Sequence, residues 1–157
     1  MTRRLWLASV VALAAATPAL SEMAPKDVAY VEGAIDGSLS GTQGNPDEGV
    51  KVMTTAALGN CVACHQVSAL PDVQFPGTIA PPLDGVADRW SEAQLRGIVA
   101  NAKMTFEDSF MPAFYKTEGF IRPGAAYSGK APDGELPPIL SAQQIEDVVA
   151  FLMTLKE

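Results

Sequence analysis

The two cysteines and the single histidine of this 157-residue chain lie in one pentapeptide, Cys61-Val62-Ala63-Cys64-His65. A Cys-x-x-Cys pair permits a redox disulfide or half of a zinc site, whereas Cys-x-x-Cys-His is the pattern of covalent c-type haem attachment. Two thiols separated by two residues can add to the two vinyl groups along one edge of the macrocycle. The next residue then brings an imidazole beneath the iron. The spacing predicts one haem c attached through Cys61 and Cys64, with His65 as the proximal iron ligand.

Two other chemistries are compatible with a Cys-x-x-Cys pair. A zinc site would need a fourth ligand from a carboxylate, and the cysteines and histidine are too crowded in sequence to enclose the metal. A thiol–disulfide oxidoreductase of the thioredoxin type would need an adjacent βαβ pattern, and none is visible. The oxidoreductase using Cys61 and Cys64 is kept as a third interpretation of function.

The distal iron ligand cannot be a second histidine of this chain, which leaves methionine, lysine, a partner's residue, water or nothing. Beyond the first 21 residues the methionines are Met23, Met53, Met104, Met111 and Met153. Met53 and Met153 stand at helical spacings among aliphatic residues and are predicted to belong to the core. Met111 precedes Pro112, which stiffens the loop and favours an extended conformation at Met111. Met111 is therefore the predicted distal ligand, with Met104 as the alternative.

The N-terminus has the pattern of a secretory signal peptide. Two arginines precede the charge-free run LWLASVVALAAA, and small residues follow it. Twelve apolar residues are fewer than the roughly 20 that a membrane-spanning helix needs. Residues 1–21 are therefore predicted to be a signal peptide that is cleaved after Ser21. Cleavage after Ala19 or Ala24 is the alternative. This leaves a periplasmic protein without a membrane span.

The charge balance excludes two classes of ligand. The chain carries a net charge of −7, and removal of residues 1–21 takes away two arginines and no acid, which makes it −9. Nucleic acids and anionic membranes are bound by clustered lysine and arginine. Neither is expected as a partner.

Helical signals dominate the rest of the chain. Residues 22–46 form a polar, glycine-rich arm, and a first helix is predicted from Asp47 to about residues 59–60. Two further helices are marked by capping boxes, in which a serine is followed three residues later by a glutamine. These pairs are Ser91 with Gln94 and Ser141 with Gln144. No strand pattern competes, so residues 47–157 are predicted to form one all-α domain.

Two segments are predicted to be ordered loops around the haem. Residues 66–90 contain Pro81, whose backbone carbonyl is a candidate acceptor for the non-ligating nitrogen of His65. Residues 112–140 follow the distal methionine and are long for a structureless loop, which is typical of functional segments. Aromatic residues within them argue against disorder, and the loop is expected to cover the methionine side of the haem or to form a docking surface.

The combination of these motifs resembles class I cytochromes c, and more closely the SoxX family of monohaem cytochromes. The resemblance spans nearly all of residues 47–157. It is carried by Asn60 to His65, Gly77 to Lys103, Met111 to Tyr115 and Pro138 to Lys156. It implies a class I cytochrome c fold and the same four haem-site residues: Cys61, Cys64, His65 and Met111. The chain looks longer than the family near residues 131–136, so no contact residue is carried over there.

The resemblance also implies a function. The SoxX family forms a heterodimer with a second cytochrome subunit, SoxA, and this complex joins thiosulfate oxidatively to a cysteine of the carrier protein SoxYZ. The expected role is the electron-transfer subunit of an L-cysteine S-thiosulfotransferase, which relays electrons to a downstream acceptor. Because the haem engages both cysteines and the histidine, no catalytic nucleophile is expected on this chain. The alternative is a free-standing periplasmic cytochrome c that shuttles electrons.

Overall fold

The computed structural model describes residues 22–121, 123 and 130–157. The predicted signal peptide and residues 122 and 124–129 of the long loop lie outside these residues. The helices are α1 (Pro46–Thr54), α2 (Val86–Arg89), α3 (Glu92–Asn101) and α4 (Ala142–Leu152), with 3₁₀ turns at Pro25–Asp27, Cys61–Ala63 and Ala102–Met104. The described residues contain no strand, and a single isolated bridge joins Val31 and Ala34. None of their helices combines the length and apolar character required to cross a bilayer.

Helix α1 begins near the predicted position but ends earlier than expected. Asn45 caps it by accepting a hydrogen bond from the Asp47 N–H at 2.9 Å, and Pro46 occupies the first turn, where no N–H is needed. The expected end near residues 59–60 is wrong. Thr55 adopts an extended conformation, and its hydroxyl bonds back to the Lys51 carbonyl at 2.6 Å. The helix ends at Thr54 because Thr55 leaves the helical conformation, and the chain then turns back so that the Gly59 N–H donates to the Val52 carbonyl.

Both predicted capping boxes are present. In α3 the Ser91 side chain accepts from the Gln94 N–H, and the Gln94 side chain accepts from the Ser91 N–H. Ser141 and Gln144 form the same pair of bonds in α4. Each box satisfies backbone donors that a helix start leaves without partners, which fixes where α3 and α4 begin.

The core lies where α1 crosses α4. A Cβ atom added to Gly49 would stand 2.1 Å from the Asp147 backbone oxygen, so the two helices approach more closely than any side chain at position 49 allows. Met53 of α1 and Ile145, Val148 and Val149 of α4 are almost fully buried. The prediction that Met53 is a core residue is confirmed.

The arm at residues 22–46 packs onto this core. Ile35 and Leu39 are buried, at 2% and 0% exposure. A buried ion pair binds the backbone of both residues. Arg96 Nε donates to Glu146 at 3.0 Å. Arg96 Nη1 donates to the Ile35 carbonyl, and Glu146 accepts from the Leu39 N–H. The arm is therefore joined to α3 and α4 by charge-assisted bonds, which are stronger than neutral ones.

Candidate functional site

The pentapeptide at residues 61–65 is a tight turn that follows a left-handed residue. Asn60 has φ of 47°, and the 3₁₀ turn Cys61–Ala63 begins directly after it. The N–H groups of Cys64 and His65 both donate to the Cys61 carbonyl, at 3.1 and 2.9 Å. These bonds fix the backbone from which both thiols and the imidazole project.

Cys61 and Cys64 are each half-buried. Burial raises the pKa of the Cys61 thiol to about 11, so the neutral thiol predominates at pH 7. Catalytic thiols of disulfide oxidoreductases have the opposite property, a lowered pKa that gives the nucleophilic thiolate. The environment of Cys61 does not support thiol–disulfide exchange as the function.

The imidazole of His65 is oriented by the loop that follows the turn. Its Nδ1 lies 2.7 Å from the backbone oxygen of Pro81. A carbonyl oxygen can only accept, so Nδ1 carries the proton and Nε2 is left with its lone pair for a metal. The sequence-based prediction of this hydrogen bond is confirmed.

Backbone hydrogen bonds hold this loop against the turn at several points. The Gly77 N–H donates to the Val62 carbonyl at 2.8 Å, and the Ala80 N–H donates to the Cys64 carbonyl at 3.0 Å. A Cβ atom on Gly77 would stand 1.9 Å from the Ala63 oxygen, so only glycine permits this approach. The position of the Pro81 carbonyl next to Nδ1 of the imidazole thus depends on contacts made by neighbouring residues of the same loop.

The two candidate distal ligands differ in their surroundings. Met111 is half-buried and packs against the core, whereas the Met104 side chain is 49% exposed. The Met111 N–H donates to the Ser109 hydroxyl at 3.2 Å, and Lys103 Nζ donates to the Met111 carbonyl at 3.0 Å. The packing favours Met111, which stays a prediction as the iron ligand.

The residues present fit a haem. Large apolar side chains lie exposed in the two segments that contain Pro81 and Met111: Ile79 is 65% exposed two residues before Pro81, and Phe110 is 71% exposed directly before Met111. A flat apolar macrocycle attached at Cys61 and Cys64 would remove such surface from water, which is favourable. The donor set of two thiols, an imidazole and a thioether is the set that c-type haem requires.

Three residues that shape the site were missed by sequence reasoning: Gly77, Lys103 and Ser109. A glycine within a proline-rich loop next to the motif is a signal that could have identified Gly77 as a point of close approach. The contacts of Lys103 and Ser109 with Met111 depend on how the chain folds back after α3. The spacing of Lys103 and Ser109 from Met111 in the sequence does not predict these contacts.

Comparisons with known proteins show what the whole chain is similar to. The family described as Cytochrome c matches residues 46–156. A chain in the crystal structure of SoxXA from P. pantotrophus is 74% identical, with a TM-score of 0.84, and the match covers 87% of this chain and 100% of that chain. Ferric cytochrome c-550 from Paracoccus versutus is 23% identical with a TM-score of 0.39, over 73% of this chain and 100% of that chain. Comparison with curated proteins gave no match.

Proposed function

Because this chain belongs to the cytochrome c family, we propose that it acts as the electron-transfer subunit of a SoxXA-type complex with L-cysteine S-thiosulfotransferase activity. One observation carries the proposal: 74% identity over the whole length of a chain of SoxXA from P. pantotrophus. The predicted class I cytochrome c fold, the single covalently attached haem c and the resemblance to SoxX are confirmed by the same comparisons.

The proposed haem site assigns one role to each of four residues. Cys61 and Cys64 would attach the group by thioether bonds, and His65 and Met111 would ligate its iron. Haem bound there supplies a one-electron carrier. The thioether of Met111 and an apolar surrounding favour the ferrous state, which raises the reduction potential and suits an electron acceptor. The bond from Pro81 keeps the imidazole of His65 in the tautomer that can ligate.

The proposed reaction requires a nucleophile that this chain does not carry. Joining the outer sulfur of thiosulfate to a cysteine thiol forms a sulfur–sulfur bond and releases one proton and two electrons. Both cysteines and the single histidine of this chain are engaged by the haem, so neither a free thiol nor an imidazole base remains. The chain would accept these electrons one at a time and pass each to a downstream acceptor before taking the next. A SoxA-type partner would bind thiosulfate, and a SoxYZ-type carrier would supply the acceptor cysteine.

The cellular location belongs to the same proposal. The signal-peptide pattern of residues 1–21 would direct the chain to the periplasm, where c-type haem attachment and the oxidation of external thiosulfate can both take place. The net negative charge of the mature chain is compatible with binding to a protein partner and disfavours binding to a nucleic acid.

The test is to purify the native protein from periplasmic extract and determine its stoichiometry. The proposal expects it to copurify one-to-one with a second cytochrome, and expects the pair to form the sulfur–sulfur bond from thiosulfate and a carrier protein. A monomer without thiosulfate-dependent reduction would indicate the free-standing shuttle instead.

The covalent haem has its own test. Thioether-linked haem resists extraction by acidic solvent and gives a pyridine haemochrome spectrum on the denatured polypeptide. A polypeptide that carries no covalent haem would contradict both the complex subunit and the shuttle. It would return the thiol–disulfide interpretation to consideration.

A further inference from the structure

The backbone of Met111 is bound on both sides by side chains. Lys103 Nζ donates to its carbonyl at 3.0 Å, and the Ser109 hydroxyl accepts its N–H at 3.2 Å. Pro112 follows directly and has no N–H, so the loop cannot continue into helical hydrogen bonding at this point. The conformation of Met111 therefore depends on these two side chains rather than on a secondary-structure element.

Lys103 is well placed to hold the loop because its own backbone is fixed. It lies in the 3₁₀ turn Ala102–Met104, directly after α3, where the Asn101 side chain accepts the Lys103 N–H at 3.3 Å. Beyond Met111, the Tyr115 N–H donates to the Ala100 carbonyl at 3.0 Å. The segment that carries Met111 is thus attached to the end of α3 both at Met111 itself and four residues later.

A thioether is a neutral ligand, so it stays at a metal only while the loop keeps the sulfur in place. We propose that Lys103 is a positioning residue that holds Met111 in its ligating position, and that loss of its bond to the Met111 carbonyl opens the distal position to small ligands. The proposal rests on the assignment of His65 and Met111 as axial ligands under the proposed function.

The test measures imidazole binding to the ferric holoprotein by absorbance titration. The apparent affinity of a ligand that binds only the open form scales with the population of that form. Lys103→Leu, which removes the donor of this exposed hydrogen bond, is expected to tighten imidazole binding several-fold and by at most about tenfold, the range that loss of one hydrogen bond allows. Lys103→Arg, which keeps a donor on a long side chain, is expected to stay within about twofold of the native protein. Lys103→Ala serves as a second variant without a side-chain donor should Lys103→Leu fold poorly.

Lys116 provides a matched control. Its Nζ also donates to a backbone carbonyl in the same part of the chain, that of Gly119 at 3.2 Å. Lys116→Leu removes the same charge and the same kind of bond, together with a cation–π contact to Phe120, without touching Met111. It should leave imidazole binding unchanged. Unchanged imidazole binding in Lys103→Leu would overturn the proposal. Equal tightening of imidazole binding in Lys116→Leu would also overturn it, because the effect would then not depend on the bond to Met111.

Failure of the ligand assignment can be told apart from failure of this inference. Imidazole–methionine ligation would give the native protein a sulfur–iron charge-transfer absorbance band. If Met111→Ala keeps that band, the assignment of Met111 as a ligand is wrong, and the proposed role of Lys103 is refuted as well. If Met111→Ala loses the band while Lys103→Leu behaves like the native protein, the assignment stands and only the role of Lys103 is refuted.

Discussion

Nδ1 of His65 donates a hydrogen bond to the backbone oxygen of Pro81 across 2.7 Å. The bond fixes the ring's tautomer and orientation, and it raises the basicity of the nitrogen that remains free. Its acceptor is a main-chain atom, so no side-chain substitution at position 81 removes it directly. What can be changed is the path of the loop that presents the carbonyl.

Gly77→Ala should displace that loop. The new Cβ would stand 1.9 Å from the Ala63 oxygen, and the bond from the Gly77 N–H to Val62 would have to break or lengthen. Forced overpacking of this kind costs about 1–3 kcal/mol. We expect the free energy of unfolding of the holoprotein to fall by that amount in denaturant titrations, together with a lower yield of covalent haem.

Gly37→Ala is the control for this substitution. No atom lies within 4 Å of the position that a Cβ would take at Gly37, and its φ is not positive. Its stability and haem yield should match those of the native protein. Equal stability of Gly77→Ala and Gly37→Ala would show that the loop does not need the close approach at Gly77.

Met111→Ala should remove the charge-transfer absorbance band that accompanies sulfur–iron ligation, because the thioether is lost. Met104→Ala is the paired variant: the Met104 side chain is 49% exposed, and its loss should leave the band intact. The measurement is the ferric spectrum of each purified holoprotein. The reverse pattern, with the band lost only in Met104→Ala, would assign the distal position to Met104.

Local signals explain which parts of the fold were predictable from sequence. The starts of α3 and α4 were predicted because each depends on a serine and a glutamine three residues apart. The end of α1 was not, because Thr55 leaves the helix as the chain turns back toward Val52.

The placement of the arm depends on partners distant in sequence. The Leu39 N–H bonds to Glu146 over a separation of 107 residues, and Arg96 reaches the Ile35 carbonyl over 61. No periodicity within residues 22–46 reveals such contacts. The prediction of Cys61, Cys64 and His65 as haem-site residues has the opposite basis, because covalent haem attachment requires all three residue types within one pentapeptide.

Glu146→Gln should destabilise the protein strongly. Arg96 and Glu146 are each 4% exposed, and the substitution leaves the buried guanidinium without its carboxylate partner in α4. Breaking a buried pair from one side costs about 3–5 kcal/mol, and the loss should lie near the lower end of this range because Arg96 keeps a second carboxylate partner, Glu92. The measurement is the free energy of unfolding in denaturant, together with the susceptibility of the arm to proteolysis.

Lys51→Gln supplies the comparison for Glu146→Gln. Lys51 pairs with Glu48 on the surface of α1, where the two side chains are 66% and 50% exposed. Solvent-exposed pairs contribute little to stability, so this variant should unfold like the native protein. Similar losses in both variants would contradict the view that burial makes the Arg96–Glu146 pair important.

Tyr115→Phe should loosen the N-terminal end of the arm. The buried Tyr115 hydroxyl donates to the Met23 carbonyl at 2.6 Å and lies 3.2 Å from a Glu22 carboxylate oxygen. Loss of one such bond lowers stability by about 0.5–1.5 kcal/mol. The expected result at pH 7 is a loss of that size in denaturant titrations of the mature holoprotein.

The same variant has a pH signature. Burial, together with the nearby Glu22 carboxylate, raises the pKa of Tyr115 to about 12 from its ordinary value of 10.0. The unfolded chain therefore releases this proton first as the pH rises, and deprotonation favours unfolding between pH 10 and about 12. The stability advantage of the native protein over Tyr115→Phe should be complete below pH 10 and decline above it. A difference that stays constant up to pH 12 would mean that the hydroxyl is not buried as described.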